Sequence, residues 1–439
     1  MVILVKIAQV FLALMILVFV HELGHFLFAK LFKIRVKKFY LFFDIGRALF
    51  RYKPKNSETE YGIGWLPLGG YCQIDGMVDE SLALEGLESE PKPWEFRSRP
   101  TWQRLLVMIA GVLFNVILAM MIYGAIAYTW GTYHLPVANL GDNIAYSSVG
   151  HQMGLQDGDR PFAIDGKEIK YFEGALLQDI ANGDNLTVVR NNQKVDIDIP
   201  TDLMRAVIAS KKPFFMLDLP AEIDSILPNS VAARDGLRAG DLIYSLDGGD
   251  TPIKLSKLIP AIQEAKGDSL TLFVQRAGEI VEVHTLPDTE KGLGIMFVSA
   301  AEVFKQEYRT YNFFQAIPAG ISQAFKQIAS YADQLKYVAT PEGASSIGGF
   351  GTIGSLFPAH FNWQQFWGMT AFLSIILAVM NLLPIPGLDG GHIMFVLFEM
   401  VTGRKPSLKW QIRLQVIGMV FLIALVLYAN ISDIFRFIN

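Results

Sequence analysis

Cysteine is almost absent: Cys72 is the only one in 439 residues. That excludes an intramolecular disulfide and a cysteine-based zinc knuckle alike. Charge is scarce too. Charged residues make up 18% of the chain, and 38 basic side chains nearly balance 42 acidic ones, so nothing draws the whole molecule to nucleic acid. Apolar residues, by contrast, reach 51%, with a mean hydropathy of +0.32. This balance excludes disorder and identifies a membrane protein rather than an ordinary soluble enzyme.

Four stretches are long and apolar enough to cross a hydrocarbon core, which takes about 20 helical residues. They run roughly over 2–32, 102–130, 366–398 and 410–434. The first carries only Lys6 in its N-terminal region and no small-x-small site behind its apolar run, so it reads as a permanent span rather than a cleaved signal. Lys33, Arg35, Lys37 and Lys38 follow it, Arg97, Arg99 and Arg104 flank the second, and Arg404, Lys405, Lys409 and Arg413 separate the last two. By the positive-inside rule these loops are cytoplasmic, and the polar region 134–360 is external. Cys72 then lies on the reducing side and needs no special role.

The external region contains an internal repeat. Gly154-Leu155-Gln156-Asp157-Gly158-Asp159 leads to Asp165-Gly166, and Gly236-Leu237-Arg238-Ala239-Gly240-Asp241 leads to Asp247-Gly248, an offset of 82 residues in both. The glycines suit tight turns and the Asp-Gly pairs suit hairpins. This pattern resembles PDZ domains, which accept a peptide along a sheet edge. The second copy matches better, with Ser230 ahead of it; the first has Arg160-Pro161 where a strand should begin. After the repeats, Ile317, Ile321, Phe325, Ile328, Ala332 and Leu335 recur at helical spacing, which predicts an amphipathic helix lying on the membrane or against the PDZ-like pair, or packed into a core. Gly349, Gly351 and Gly354 match a dinucleotide fingerprint in letters only. No strand precedes them and no acidic residue follows before Asp389, so the passage reads as a flexible connector.

The chemistry begins at His21-Glu22-Leu23-Gly24-His25, an H-E-x-x-H sequence inside the first span. Spacing i, i+4 stacks both imidazoles on one helix face, where they can chelate one ion, and the intervening glutamate reaches a metal-bound water. Zinc lowers that water's pKa to about 7, within reach of a carboxylate base. Ionisable side chains at membrane depth cost roughly 2.5–3.5 kcal/mol each and need a partner or a purpose. Two histidines leave the ligand set one short. Among the few polar residues of the spans, Asp389 is the natural third ligand and His392 the other candidate, in Asn381-Leu382-Leu383-Pro384-Ile385-Pro386-Gly387-Leu388-Asp389-Gly390-Gly391-His392. The prolines and glycines there predict an unwound helix, tolerated at membrane depth only where it lines a protected site. Its freed backbone can hold an extended peptide. Asn381 can donate to a substrate carbonyl or bond another helix. Counted from the outer ends of their spans, His21 and Asp389 both fall toward the cytoplasmic half. His134, His151, His284 and His360 are scattered without ligand spacing and read as surface or packing residues.

H-E-x-x-H in the first span together with N-x-x-P-x-P-x-L-D-G-G in a later one resembles the site-2 protease family, and the paired PDZ-like repeats resemble its bacterial RseP group. The resemblance covers essentially the whole chain. It implies a polytopic α-helical membrane protein with four transmembrane helices, a membrane-associated β-hairpin region and two external β-rich PDZ-like domains. The segments would be a first span (1–32), a β loop (33–101), a second span (102–133), PDZ-like domains (134–220 and 221–300), an amphipathic helix with connector (301–362), a third span (363–400) and a fourth (401–439). It implies that His21, His25 and Asp389 hold zinc, that Glu22 is the catalytic base and that Asn381 positions substrate. Pro384 and Pro386 in the broken helix, and Gly69 and Gly70 in the segment Tyr61–Tyr71, would meet the opened substrate, with an edge strand there free to pair with it.

Three positions depart from the family pattern: Asp44-Ile45-Gly46-Arg47 ahead of the hairpin, Gly111-Val112 before Asn115, and Ser345-Ser346-Ile347-Gly348 before the third span. The implied activity is intramembrane zinc endopeptidase at a bacterial inner membrane. Its substrates would be single-pass membrane proteins of the anti-sigma factor type and remnant signal peptides in the lipid bilayer, with the PDZ-like pair admitting trimmed stumps and no nucleic acid involved. A non-proteolytic PDZ scaffold with a structural metal is the alternative. A proton or ion relay through Asp389 and the histidines fits less well, because four spans without an inverted repeat do not make a transporter.

Overall fold

The computed structural model describes residues 2–66, 69–77, 90–246, 248, 252–265, 267–288, 292–338, 340–341, 343 and 348–438. Pro67, Asp247 and the stretch 345–347, which belong to motifs quoted above, lie outside the described residues. The chain divides into two units, one formed by Met1–Gly131 with Thr310–Asn439 and the other by Thr132–Arg309.

In the first unit, four helices among the described residues are long and apolar enough to cross a membrane. They are α1 (Val2–Leu31), α2 (Thr101–Trp130), the helix Trp363–Leu382 and most of Leu408–Ile438. In chain order the helices after α2 are α3 (Phe313–Val338), α4 (Phe350–Leu356), α5 (Trp363–Leu382), α6 (Asp389–Thr402) and α7 (Leu408–Ile438). The stretch read as one third span is therefore two helices with a break between Leu382 and Asp389. Pro384 and Pro386 lack the N–H groups a helix needs, and Gly387 adopts a positive φ of 98°.

Two apolar clusters tie the helices together. Ala13 and Leu17 of α1 meet Phe366 and Leu373 of α5, and Ala119 and Ile122 of α2 meet Ala371 and Ile375. On α3 the packing face is the small-residue edge, Ala316, Gly320 and Ala324, all buried. A Cβ on Gly320 would stand 2.7 Å from Gly124 Cα of α2, so the two backbones touch. The periodic Ile317, Ile321 and Phe325 are exposed instead. The glycine-rich passage, expected as a flexible connector, contains α4. Asp433 of α7 accepts hydrogen bonds from the Gly349 and Thr352 amides (3.0 and 2.8 Å), and Asn430 accepts from Phe350 (3.2 Å), which pins that helix start.

Between α1 and α2 lies a four-stranded sheet: β1 (Val36–Leu41), β2 (Phe43–Tyr52), β3 (Glu60–Leu66) and β4 (Tyr71–Ile74), ordered β2-β3-β1-β4. Tyr61–Leu66 is thus an interior strand. Beside it β1 runs parallel to β3 and antiparallel to β4, leaving β4 as an edge.

The second unit carries the repeat into three dimensions. The opening strand of the first half, Ile144–Tyr146, pairs antiparallel with its closing strand, Phe215–Leu217; Ile223–Ile226 and Ile295–Phe297 do the same in the second. Arg160–Ile164, Asn185–Arg190 and Gln193–Asp198 correspond to Leu242–Ser245, Leu270–Arg276 and Glu279–Thr285. Despite Pro161, the first of these strands does form, with a register shift between Pro161 and Ala163. Each half has its own core, around Ile180, Leu186 and Val188 in one and Ile243, Leu258 and Leu272 in the other. A cleft of about 1200 Å³ lined by Asp142, Asp157, Arg160, Arg190, Lys254 and Lys257 runs between them.

One ion pair recurs at matched positions. Arg190 Nη2 donates to Asp159 (2.6 Å) and to the Gly154 carbonyl (2.9 Å); Arg276 Nη2 donates to Asp241 (2.7 Å) and to the Gly236 carbonyl (2.9 Å). Burial alone would push the Asp241 carboxyl up, but the Arg276 guanidinium and the Arg238 amide bring it below the ordinary carboxylate range. Such a depressed group stabilises the fold above that range, and the contribution is lost as pH falls through it. Arg276→Leu leaves a buried carboxylate unpaired and is expected to cost about 3 kcal/mol at neutral pH. Thermal unfolding of the native and variant chains across pH should converge in acid; a gap that stays constant with pH would refute the assignment.

Candidate metal centre

Two helices cross at backbone distance to make the floor of the site. A Cβ on Gly24 of α1 would lie 2.7 Å from the Ala110 carbonyl carbon of α2, and a Cβ on Gly111 would lie 2.7 Å from His21 Cε1 and closer still to His25 Nε2. Only glycine lets α2 pass directly behind the two imidazoles. One helical turn separates His21 and His25, and their Nε2 atoms stand 3.2 Å apart. His25 Nδ1 donates to the Val107 carbonyl at 2.8 Å, which leaves its Nε2 lone pair toward the cluster.

Asp389 enters from the helix break. It is the first residue of α6, and the turn before it folds tightly on itself: a Cβ on Gly391 would lie 2.7 Å from Pro386 Cα. Asp389 Oδ2 stands 3.1 Å from His21 Nε2 and 3.3 Å from His25 Nε2, with all three side chains buried. These separations test whether a metal fits. A tetrahedral zinc with ligand bonds of about 2.0–2.1 Å has ligand–ligand edges of about 3.3 Å. The three atoms form such a triangle. Asp389 Oδ2 is moreover buried with no hydrogen-bond donor aligned on it, the condition of an atom reserved for a cation. Two imidazoles and a carboxylate are a donor set suited to zinc.

Around the triangle, Glu22 is buried and lines both neighbouring cavities. One is a narrow chamber bounded by Cys72, Met108 and His392. The other, about 410 Å³, is lined by Val18, Phe43, Gly69, Gly70, Asn381 and Gln415 among others. Asn381 Nδ2 lies 3.4 Å from His21 Nε2. A Cβ on Gly70 would come within 3.2 Å of Glu22 Cγ, so this glycine brings the start of β4 against the glutamate.

Of the residues expected from sequence, the structure brings together His21, His25, Asp389, Glu22, Asn381, Gly69 and Gly70. Pro384 and Pro386 shape the break and do not line the larger cavity. His392 lines the narrow chamber but stands outside the ligand triangle, and Gln415 of α7 donates to its Nε2. Gln415 also accepts from the Gly387 amide. The sequence reading assigned no role to Gly111, Asn115, Gln415 or Gly418. Glycines facing a distant segment, as Gly111 faces the His21 and His25 imidazoles and Gly418 faces the Pro386 backbone in the break, are invisible without the partner, although the family-pattern position at Gly111-Val112-Leu113-Phe114-Asn115 was a signal.

The family model of peptidase family M50 matches residues 9–425. A putative zinc metalloprotease of Vibrio cholerae serotype O1 is 26% identical, covering 97% of each chain. The Regulator of sigma-E protease RseP of Escherichia coli strain K12 is 28% identical, covering 98% of each. A putative zinc metalloprotease of Thermotoga maritima is 26% identical over 95% of this chain and 97% of its own.

Proposed function

Because this chain belongs to peptidase family M50, we propose that His21, His25 and Asp389 hold its zinc and that Glu22 is the base with which it cuts single-span membrane segments. The chain is a membrane-embedded zinc metalloprotease of the site-2 type. The observation that carries the residue roles is the triangle of ligand atoms, 3.1–3.3 Å on a side, with Glu22 next to it at the wall of a substrate-sized cavity.

Zinc bound there supplies a Lewis acid and an activated water. Glu22 takes a proton from the attacking water and passes it to the leaving amine nitrogen, so the peptide bond breaks with one acid–base group serving both steps. Asn381 donates its amide N–H to the carbonyl oxygen as charge develops there. A transmembrane helix hides its carbonyls in hydrogen bonds, so the scissile segment must open first. The edge strand β4, which Gly70 leads into beside Glu22, offers an opened segment strand pairing, and Gly69 lets the chain pass close against the Phe43 ring. The arginines and lysines flanking the spans support a site toward the cytoplasmic half and a periplasmic position for the unit Thr132–Arg309. There its two PDZ-like halves, with their charged cleft, act as a filter that turns away untrimmed substrates of the anti-sigma factor type and admits short stumps and remnant signal peptides.

Purified protein in liposomes with two model substrates tests this reading, one carrying a folded outer domain and one trimmed to a short stump. The trimmed form is expected to be cut at a bond within its span, at least tenfold faster than the other. Mass spectrometry locates the bond, and a zinc chelator should stop the reaction until zinc is returned. Intact substrates in the presence of stoichiometric zinc would favour the scaffold with a structural metal.

A further inference from the structure

The two zinc-binding imidazoles are not equally explained. His25 Nδ1 faces a backbone carbonyl, which can only accept, so its tautomer is fixed. His21 Nδ1 faces the side chain of Asn115 on α2, at 3.3 Å from Nδ2. As oriented, the amide presents its amino group to a nitrogen that must itself carry the hydrogen if Nε2 is to hold the metal. Asn115 Oδ1 is meanwhile buried with no hydrogen-bond partner, in a residue 0% exposed. The two ends of a carboxamide are exchanged by a half-turn that leaves its shape unchanged. That turn resolves both problems together: Oδ1 accepts from His21 Nδ1–H, and the orphaned oxygen gains its donor.

We infer that Asn115 is a positioning residue for the metal centre, accepting a hydrogen bond from His21 Nδ1 and thereby holding the imidazole in the tautomer and orientation that direct Nε2 at the zinc. The inference rests on the proposed ligand set. The position on α2 is itself fixed: Ser374 Oγ of α5 donates to the Asn115 carbonyl at 2.8 Å, tying the backbone under the amide to a neighbouring helix. A neutral acceptor at this point does for His21 what Val107 does for His25, so α2 orients both ligands from behind while Gly111 makes room for them. Partners of this kind typically change metal affinity ten- to a hundredfold.

The experiment is competition for zinc between the full-length protein in detergent and a chelator of known affinity, on the native chain, Asn115→Leu and Asn115→Asp. Leucine keeps the approximate volume and removes the acceptor; aspartate keeps an acceptor and removes the donor. Asn115→Leu is expected to bind zinc ten- to a hundredfold more weakly, and Asn115→Asp at least as tightly as the native chain. Thermal unfolding of the zinc-free proteins separates this from misfolding, and Ser374→Ala, which loosens the same spot without touching His21, should leave affinity within threefold. Equal affinity of native and leucine variants overturns the inference. So does equal loss in both variants, which would make the amide a donor. Failure of the native chain itself to hold zinc would count against the ligand set, a different result from either.

Discussion

Glu22→Gln is expected to lower cleavage of a trimmed single-span substrate by about three orders of magnitude, inside the 10²–10⁴-fold span of general acid–base catalysis, and to leave zinc bound. The substitution keeps volume and polarity, so the buried crossing of α1 with α2 and the start of β4 against residue 22 are undisturbed. What it removes is the group that accepts a proton at one step and returns it at the next. Zinc stays because the three ligand atoms proposed for it belong to His21, His25 and Asp389, whose mutual distances do not involve residue 22. Activity against the model substrate and metal content by elemental analysis are measured on the same preparations. His21→Ala provides the contrast: it should lose metal and activity together. Loss of zinc from Glu22→Gln would make the glutamate a ligand rather than a base, and unchanged cleavage would remove it from the mechanism.

The cluster proposed to hold zinc was legible because its signals are local or rare. His21 and His25 sit one turn apart on a helix whose identity is beyond doubt from hydropathy, and only a handful of polar residues share the spans with them. Asp389 stood out because prolines and glycines beside it announced a broken helix. The repeat was legible for a similar reason, its glycine and aspartate turns recurring at a fixed offset, and the paired ion pairs at Asp159 and Asp241 follow from those same turns. What the sequence withheld depends on partners distant along the chain. The helical stripe Ile317, Ile321 and Phe325 fitted a face laid on the membrane and a packed face equally well; α3 in fact buries Ala316, Gly320 and Ala324, because contact between helix backbones rewards small residues and lets large apolar ones face outward. Tyr61–Leu66 looked like an available edge, but strand order is set by long-range pairing, and that put it inside the sheet with β4 at the rim. The glycine-rich passage looked mobile because the carboxylate that orders it, Asp433, lies some eighty residues later.

The second large effect concerns a residue with no side chain. Gly111→Val is expected to abolish zinc binding, with cleavage falling below detection, although residue 111 touches neither substrate nor metal. The Cβ alone would stand 2.7 Å from His21 Cε1 and nearer still to His25 Nε2, against a normal carbon contact of about 3.5–4.0 Å. Relief by side-chain rotation is closed off. His25 is held by Val107 on α2 itself, so moving its ring away breaks that hydrogen bond. Relief by separating the helices would undo the packing of Gly24 on the Ala110 carbonyl, the residue next to 111. The clash therefore falls on the ligand triangle, the part with the least tolerance, since a metal site needs its donors placed to within about 0.5 Å. Gly368→Ala on α5 is the control: nothing lies within 4 Å of a Cβ there, and alanine in a helix gains up to about 1 kcal/mol over glycine. Zinc content and thermal unfolding should thus move in opposite directions for the two variants, the first losing metal and the second keeping it with an equal or higher melting temperature. If Gly111→Val retained zinc at native affinity, α1 and α2 would have to cross farther apart than they do here, and the glycine's place behind the imidazoles would lose its meaning.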